Sequence, residues 1–215
     1  MARILVVRHG QTHGNVEGLF CGQTETALTS VGIAQAQALG RKLADTRIDA
    51  AYASDLSRAG DTAAHILAAH PAAPELRIDP RLREMHYGEW ESLPSKTLRA
   101  RHPELVRDFL SARSHSAPGG ETIVEIRSRM AAAVRDAAAA HPDGNILVVS
   151  HGQAIMALLA ELLSLPLESS WSFTVANTSV SRLNIGRSGR ATILSFNEMS
   201  HTEGIEGQTT AQAWA

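Results

Sequence analysis

Scarcity defines much of this 215-residue chain. Cys21 is its only cysteine, which excludes an internal disulfide framework and any multi-cysteine zinc site. Lysine occurs only at Lys42 and Lys96, so the other eighteen of the twenty basic residues are arginine. Arginine is the better fork for phosphate and carboxylate oxygens, although genome composition produces the same bias. The net charge is only -2, which gives no electrostatic case for binding nucleic acid or an anionic membrane. No stretch reaches 18 consecutive apolar residues, and the run Ile4 to Val7 is too short for a signal-peptide core. A cytoplasmic location is the default expectation. With 44% apolar and 20% charged residues, the composition is that of a globular protein of one domain, or one domain with an insertion.

What is present is an alternation of strands and helices. Ile4-Leu5-Val6-Val7 reads as a strand buried on both faces of a parallel sheet. A polar loop follows from Gly10 to Gly22. Thr29 or Ser30 then caps a helix to about Asp45. A strand at 50–54 precedes a helix at 55–69, with a weaker strand at 76–79. Residues 86–118 have poor periodicity and read as an irregular, partly helical insertion. Thr122 and Glu125 form a capping box for a helix to about Ala140. The strand Ile146 to Val149 and an apolar helix from Gly152 to Leu163 come next. Two or three terminal strands are expected near 173–175, 179–185 and 192–196, and then a polar, mobile tail at 198–215. The pattern predicts an α/β three-layer sandwich, with a mostly parallel central sheet and helices on both faces.

Two segments nearly repeat each other. Residues 4–10 read Ile-Leu-Val-Val-Arg-His-Gly, and residues 146–152 read Ile-Leu-Val-Val-Ser-His-Gly. Ligands of open α/β sheets bind beyond the carboxyl ends of strands. If the two strands are neighbours, about 4.8 Å apart, His9 and His151 share one pocket. The helix starting at Gly152 then aims its N–H groups at the same place, a natural anion site. Arg8 precedes His9, Arg58 lies just inside the second helix, and Glu84 follows the third strand. Two histidines, two arginines and a helix N-terminus make a cradle for a dianion, most simply a phosphoryl group.

The plainer readings weigh differently from residue to residue. A lone strand-end histidine is usually structural, but two copies of one strand-His-Gly pattern require a shared cause. His9 and His13 have the i, i+4 spacing of a metal pair, yet Gly10 and Gly14 argue against a helix there and no further ligand set is evident, so no metal is expected. Cys21 has no base tied to it by sequence and reads as a loop residue at the ligand. His13 and His86 are pocket-edge candidates, and the remaining six histidines read as bystanders.

At Arg8-His9-Gly10 the chain resembles the histidine phosphatase superfamily, the phosphoglycerate mutase-like proteins. RHGQTHGN with GLFCGQTETALTSVGIAQAQALG, Asp55-Leu56-Ser57-Arg58-Ala59, LREMHYGEWE, PGGET and LVVSHG follow that family's order over roughly residues 3–185. Within it, the resemblance to α-ribazole-phosphate phosphatases, broad-specificity phosphatases and small mutase-named phosphatases is equal. The resemblance implies a phosphomonoester hydrolase that needs no cofactor. His9 is the implied nucleophile, forming a phosphohistidine. Arg8, Arg58 and His151 are implied to hold the phosphoryl oxygens, with Asn15, Cys21, Gly22, Gln23 and Gly152 adding phosphate or substrate contacts. Glu84 is the implied general acid, and the insertion at 86–118 a cap that sets substrate choice. His9 must be neutral to attack, which requires an acceptor for its other ring nitrogen, a carbonyl near Gly10 or Thr12. The family's mutases carry a longer insertion and a GLNK-like segment that Tyr87 to Pro94 lacks. A true mutase is therefore the second reading and a non-catalytic binding module the third. The expected partner is a small phosphorylated metabolite, with monomer and homodimer both open.

Overall fold

The apolar alternation along the first strand is what organises the molecule in the computed structural model, which describes residues 1–111 and 116–208. In β1 (Ala2–Arg8) the side chains of Ile4 and Val6 face one side of the sheet. Leu5 and Val7 face the other. Strand β4 (Asn145–Ser150) repeats the pattern, with Ile146 and Val148 on one side and Leu147 and Val149 on the other. A strand apolar on both faces needs a helical layer on each. On one face lie α2 (Ser30–Lys42) and α3 (Ser57–Leu67), which contribute Leu39, Ala59, Ala63 and Ile66. On the other lie α6 (Ile123–Ala140) and α7 (Gly152–Leu162), which contribute Met130, Val134, Ile155 and Leu158. Each of the Leu, Ile, Val and Met side chains among these stabilises the fold by roughly 1.5–3 kcal/mol on full burial.

With β2 (Ala50–Ala53), β3 (Leu76–Ile78), β5 (Val180–Ile185) and β6 (Ala191–Glu198), the strands lie in the order β3-β2-β4-β1-β5-β6. The first four of that order are mutually parallel, and β5 and β6 are antiparallel. The expected three-layer α/β sandwich is therefore the observed one.

Several local expectations need correction. Residues 173–175 form no strand. The Val175 carbonyl accepts from Arg8 Nη1 at 2.6 Å and the Ala176 N–H donates to Asn197 Oδ1 at 2.8 Å, so side chains replace a ladder there. The loop after β1 contains a one-turn helix, α1 (His13–Glu17), despite its glycines. Thr12 Oγ1 accepts from the Asn15 N–H at 3.2 Å while Asn15 Oδ1 accepts from the Thr12 N–H at 3.1 Å, a reciprocal cap that outweighs the poor propensity. The tail is tied down as far as Gln208. Gln11 Nε2 donates to the Gly207 carbonyl at 2.9 Å, and Gln208 Nε2 donates to the carbonyls of Thr202 and Ile205. The rest of the expected tail, 209–215, lies outside the described residues.

The segment 86–118 carries α4 (Ser95–Arg101) and α5 (Pro103–Leu110). The chain's few aromatics concentrate beneath it. Phe20 meets Tyr87 at 5.3 Å between ring centroids, and Phe109 meets Trp90 at 5.2 Å and Trp171 at 4.7 Å, all edge-on. Such pairs add about 0.5–1.5 kcal/mol each beyond their buried area. The segment is also stitched to the loop after β1. Phe20 N–H donates to the Leu93 carbonyl, Ser92 N–H to that of Phe20, and Ser95 N–H to that of Gly18, at 2.8–3.0 Å. Arg113 and His115 lie outside the described residues. Among the described residues no helix is long and apolar enough to cross a membrane.

Candidate active site

The register of β1 on β4 pairs Arg8 with Ser150, so the residues that follow each strand emerge side by side. The rings of His9 and His151 lie 5.2 Å apart between centroids, tilted by 57°, and both are buried. The repeated strand-His-Gly pattern thus becomes one site.

Each ring has a defined tautomer. His9 Nδ1 lies 2.7 Å from the Gly10 carbonyl, the acceptor the sequence called for. Nδ1 therefore carries the hydrogen, and Nε2 keeps its lone pair. Burial first, then the Arg58 and Arg8 guanidiniums, hold the His9 pKa well below its usual value. His151 Nδ1 accepts from Arg58 Nε at 3.2 Å. Its Nε2 then bears the hydrogen, and that atom is buried with no hydrogen-bond partner. Burial and Arg58 likewise push the His151 pKa well down.

Arg58 is fixed at three points. Besides the bond to His151, Nη1 donates to the Thr24 carbonyl at 2.9 Å and Nη2 to the Gly22 carbonyl at 2.6 Å. Gly22 itself has φ +51°, and a Cβ there would run into the Glu91 carboxylate. Arg8 Nη1 is held by the Val175 carbonyl, while Arg8 Nε is buried and unbonded. Burial lowers the Arg8 pKa to about 10, so it remains a cation at neutral pH.

Glu84 is held differently from expectation. Its Oε1 accepts from the N–H groups of Met85 and Ala154, both at 2.9 Å, and its Oε2 from that of Gln153 at 3.1 Å. The N–H groups of Gln153 and Ala154 at the N-terminus of α7 therefore bond the Glu84 carboxyl group rather than a ligand, which satisfies two of that terminus's orphan donors. Arg83 points away from the site, into a bidentate pair with Asp55 at 2.5–2.7 Å.

Arg8, His9, Asn15, Cys21, Gly22, Arg58 and Glu84 line one pocket together with Thr12, Leu19 and Tyr87. His151, Gln23 and Gly152 are not among the lining residues; the His151 ring is fully buried and meets the site through the His9 ring and Arg58. Gln23 Nε2 donates to the Glu84 carbonyl at 3.1 Å and its Oε1 accepts from Arg83, so it braces the segment that bears the carboxylate. His13 is exposed, and His86 pairs with Glu91 at 3.7 Å beside the Gly119-Gly120 turn. Among the described residues no three His, Cys, Asp or Glu side chains gather as a cation site.

Two neighbours were missed. Asn177 Nδ2 donates to the His9 carbonyl and to Asn15 Oδ1, both at 3.1 Å, which turns the Asn15 amide N–H groups away from that bond. Thr178 has φ +56°, and its N–H donates to the carbonyls of Arg8 and His9. His201, read as a bystander, bonds Thr178 Oγ1 at 3.2 Å. The available signal was the turn-prone pair Asn177-Thr178 just ahead of a strand.

An adenosylcobalamin/alpha-ribazole phosphatase of Escherichia coli K12 is 32% identical over 186 residues, covering 86% of this chain and 91% of that one. A protein of Proteus mirabilis named probable phosphoglycerate mutase GpmB is also 32% identical, covering 86% of this chain and 85% of its own. The structure of a mycobacterial glucosyl-3-phosphoglycerate phosphatase in complex with VO3 superposes with a TM-score of 0.84 at 29% identity, covering 91% of this chain and 98% of that one. The family model of the histidine phosphatase superfamily (branch 1) matches residues 4–198, a span that holds both His-Gly strands, both arginines and Glu84. The chain belongs to that superfamily.

Proposed function

We propose that the protein hydrolyses phosphate monoesters of small hydroxylated metabolites through a phosphohistidine on His9. The observation that carries the reading is the His9 tautomer. Nδ1 is bonded to the Gly10 carbonyl and Nε2 is bare in a pocket bearing two arginines. His9 Nε2 attacks phosphorus in line with the ester oxygen. The P–O bond breaks, and the departing oxygen takes a proton from Glu84. Water then attacks the phosphohistidine, gives its proton to Glu84, and inorganic phosphate leaves with the P–N bond broken. Such transfer needs positioning and charge stabilisation above all. Arg8 and Arg58 supply that charge, the Nε2–H of the neutral His151 is a further donor, and no divalent ion takes part. Asn15 and the backbone around Cys21 and Gly22 add hydrogen bonds. Residues 86–118 act as the cap, and the protein works in the cytoplasm, where the free Cys21 thiol is at home.

The relatives named for α-ribazole and glucosyl-3-phosphoglycerate phosphatase activity support hydrolysis. The GpmB-named relative keeps mutase activity as the competing reading. Two measurements decide. Wild type cleaves p-nitrophenyl phosphate and His9→Ala does not; a largely active His9→Ala removes the nucleophile assignment. Incubated with 3-phosphoglycerate, the protein releases inorganic phosphate, whereas accumulation of 2-phosphoglycerate makes it a mutase. A phosphate-release screen over a metabolite panel then identifies the leaving group.

A further inference from the structure

One guanidinium outside the pocket has every donor committed. Arg129, on α6, points its side chain at the segment that leads into Glu84. Nη1 donates to the carbonyls of Arg81 at 2.8 Å and Arg83 at 2.7 Å. Nη2 donates to the carbonyl of Glu84 itself at 3.0 Å and to Glu121 Oε2 at 2.7 Å, and Nε donates to Glu121 Oε1 at 2.5 Å. These five bonds use all five N–H groups of the side chain. Glu121 forks the guanidinium from one side, and the carbonyls of Arg81, Arg83 and Glu84 receive it on the other.

The partner of this fork is itself immobilised. The Glu121 N–H donates to the His86 carbonyl at 2.9 Å. A Cβ on Gly120 would lie 2.6 Å from that same carbonyl oxygen, and one on Gly88 would run into the Pro118 carbonyl. The Pro118-Gly119-Gly120-Glu121 turn therefore packs backbone to backbone on the residues after Glu84, which side chains at those glycines would prevent.

We propose that Arg129, locked by Glu121, is a positioning residue for Glu84. The Glu84 carboxylate is gripped by three N–H groups and its own carbonyl by Arg129 and Gln23, so the acid is fixed at both ends of the residue. Arg129 does not line the pocket, and its bond to Glu84 is to the backbone carbonyl rather than to the carboxyl group. The proposal rests on the role given to Glu84 under the proposed function.

The test uses leaving groups. A general acid matters most when the departing oxygen is a poor leaving group, and such catalysis is worth roughly 10²–10⁴-fold. Wild type, Glu84→Gln, Arg129→Lys and Arg129→Gln are assayed with p-nitrophenyl phosphate and with a simple alkyl phosphate. Vanadate inhibition reports whether the phosphoryl site is intact. Glu84→Gln is expected to lose far more on the alkyl ester. Arg129→Gln is expected to show the same selectivity, at least about tenfold, with vanadate affinity unchanged. Arg129→Lys falls between, because an ammonium has three N–H donors where the guanidinium commits five. Equal losses on both substrates in the Arg129 variants, beside a selective Glu84→Gln, overturn the clamp alone. An unselective Glu84→Gln overturns the acid role and the clamp with it. Should Arg129→Gln not fold, Glu121→Gln, which leaves the guanidinium in place but unforked, carries the same test: a selective loss supports the clamp and an unselective one overturns it.

Discussion

Arg58 Nε donates to His151 Nδ1 at 3.2 Å, and this one bond fixes the tautomer of the second histidine, whose ring centroid lies 5.2 Å from that of His9. With Nδ1 occupied as an acceptor, the neutral ring presents Nε2–H, a buried donor with no protein partner. A preorganised donor that waits for charge to develop costs about 10²–10³ in rate when removed. His151→Ala is therefore expected to lower kcat for p-nitrophenyl phosphate by that factor. A loss below threefold would show that the Nε2–H is not used.

Acid should unfold this protein earlier than its net charge suggests. His9 and His151 are buried with pKa values well below 6.5, and burial and Lys42 bring His201 to about 4. Below 6.5 the unfolded chain binds protons at these sites that the folded chain refuses, so stability falls as pH falls. Tm is expected to decline steadily between pH 7 and 5, and a flat profile across that window contradicts the assignment. By the same sign, neutral His9 keeps its nucleophilic lone pair below pH 6.5, so the acid limb of the activity profile is not the ordinary histidine titration.

Two helix glycines make opposite predictions. A Cβ at Gly32 would collide with the Gln11 carbonyl, whereas one at Gly60 meets nothing within 4 Å. Gly32→Ala is expected to destabilise by about 1–3 kcal/mol through overpacking. Gly60→Ala, at the end of the first turn of α3, is expected to stabilise by about 0.5–1 kcal/mol. Urea unfolding of both variants measures the pair, and matching signs would contradict the packing argument.

Asn177→Asp replaces a two-hydrogen donor with acceptors facing the His9 carbonyl and Asn15 Oδ1. Leaving buried partners unpaired costs about 1–3 kcal/mol, so kcat/KM is expected to drop about 10–100-fold. An unchanged kcat/KM would mean that Asn15 needs no such support.

Because Arg8 and Arg58 supply the cationic charge, activity is expected to survive incubation with EDTA. Loss of turnover that returns on adding Mg²⁺ or Zn²⁺ would place a metal in the reaction after all.

Much of the site was legible because its key elements are strands. Arg8-His9-Gly10 and Ser150-His151-Gly152 end near-identical apolar runs, and strand pairing turns that likeness into proximity. Arg58 and Glu84 were readable by the same logic of strand ends. The misses share a different cause. That the N–H groups of Gln153 and Ala154 serve Glu84 depends on residues about seventy positions apart. Asn177 reaches His9 across 168 positions, and nothing in its local pattern indicates that partner. The α1 turn runs against the expectation drawn from Gly10 and Gly14, because the reciprocal Thr12–Asn15 cap, with Asn where a capping box usually has Glu or Gln, outweighs the glycines.

The hydrogen bonds that join residues 18–20 to residues 92–95 have a mechanical consequence. Cys21 and Gly22 at the pocket wall follow directly on one side of this seam, and α4 and α5 follow on the other. The strip of backbone whose Gly22 carbonyl anchors Arg58 is thus tied to the start of α4. Under the proposed role of 86–118 as a cap, a substitution that loosens it for bulkier substrates is expected to weaken the hold on the phosphoryl group they share.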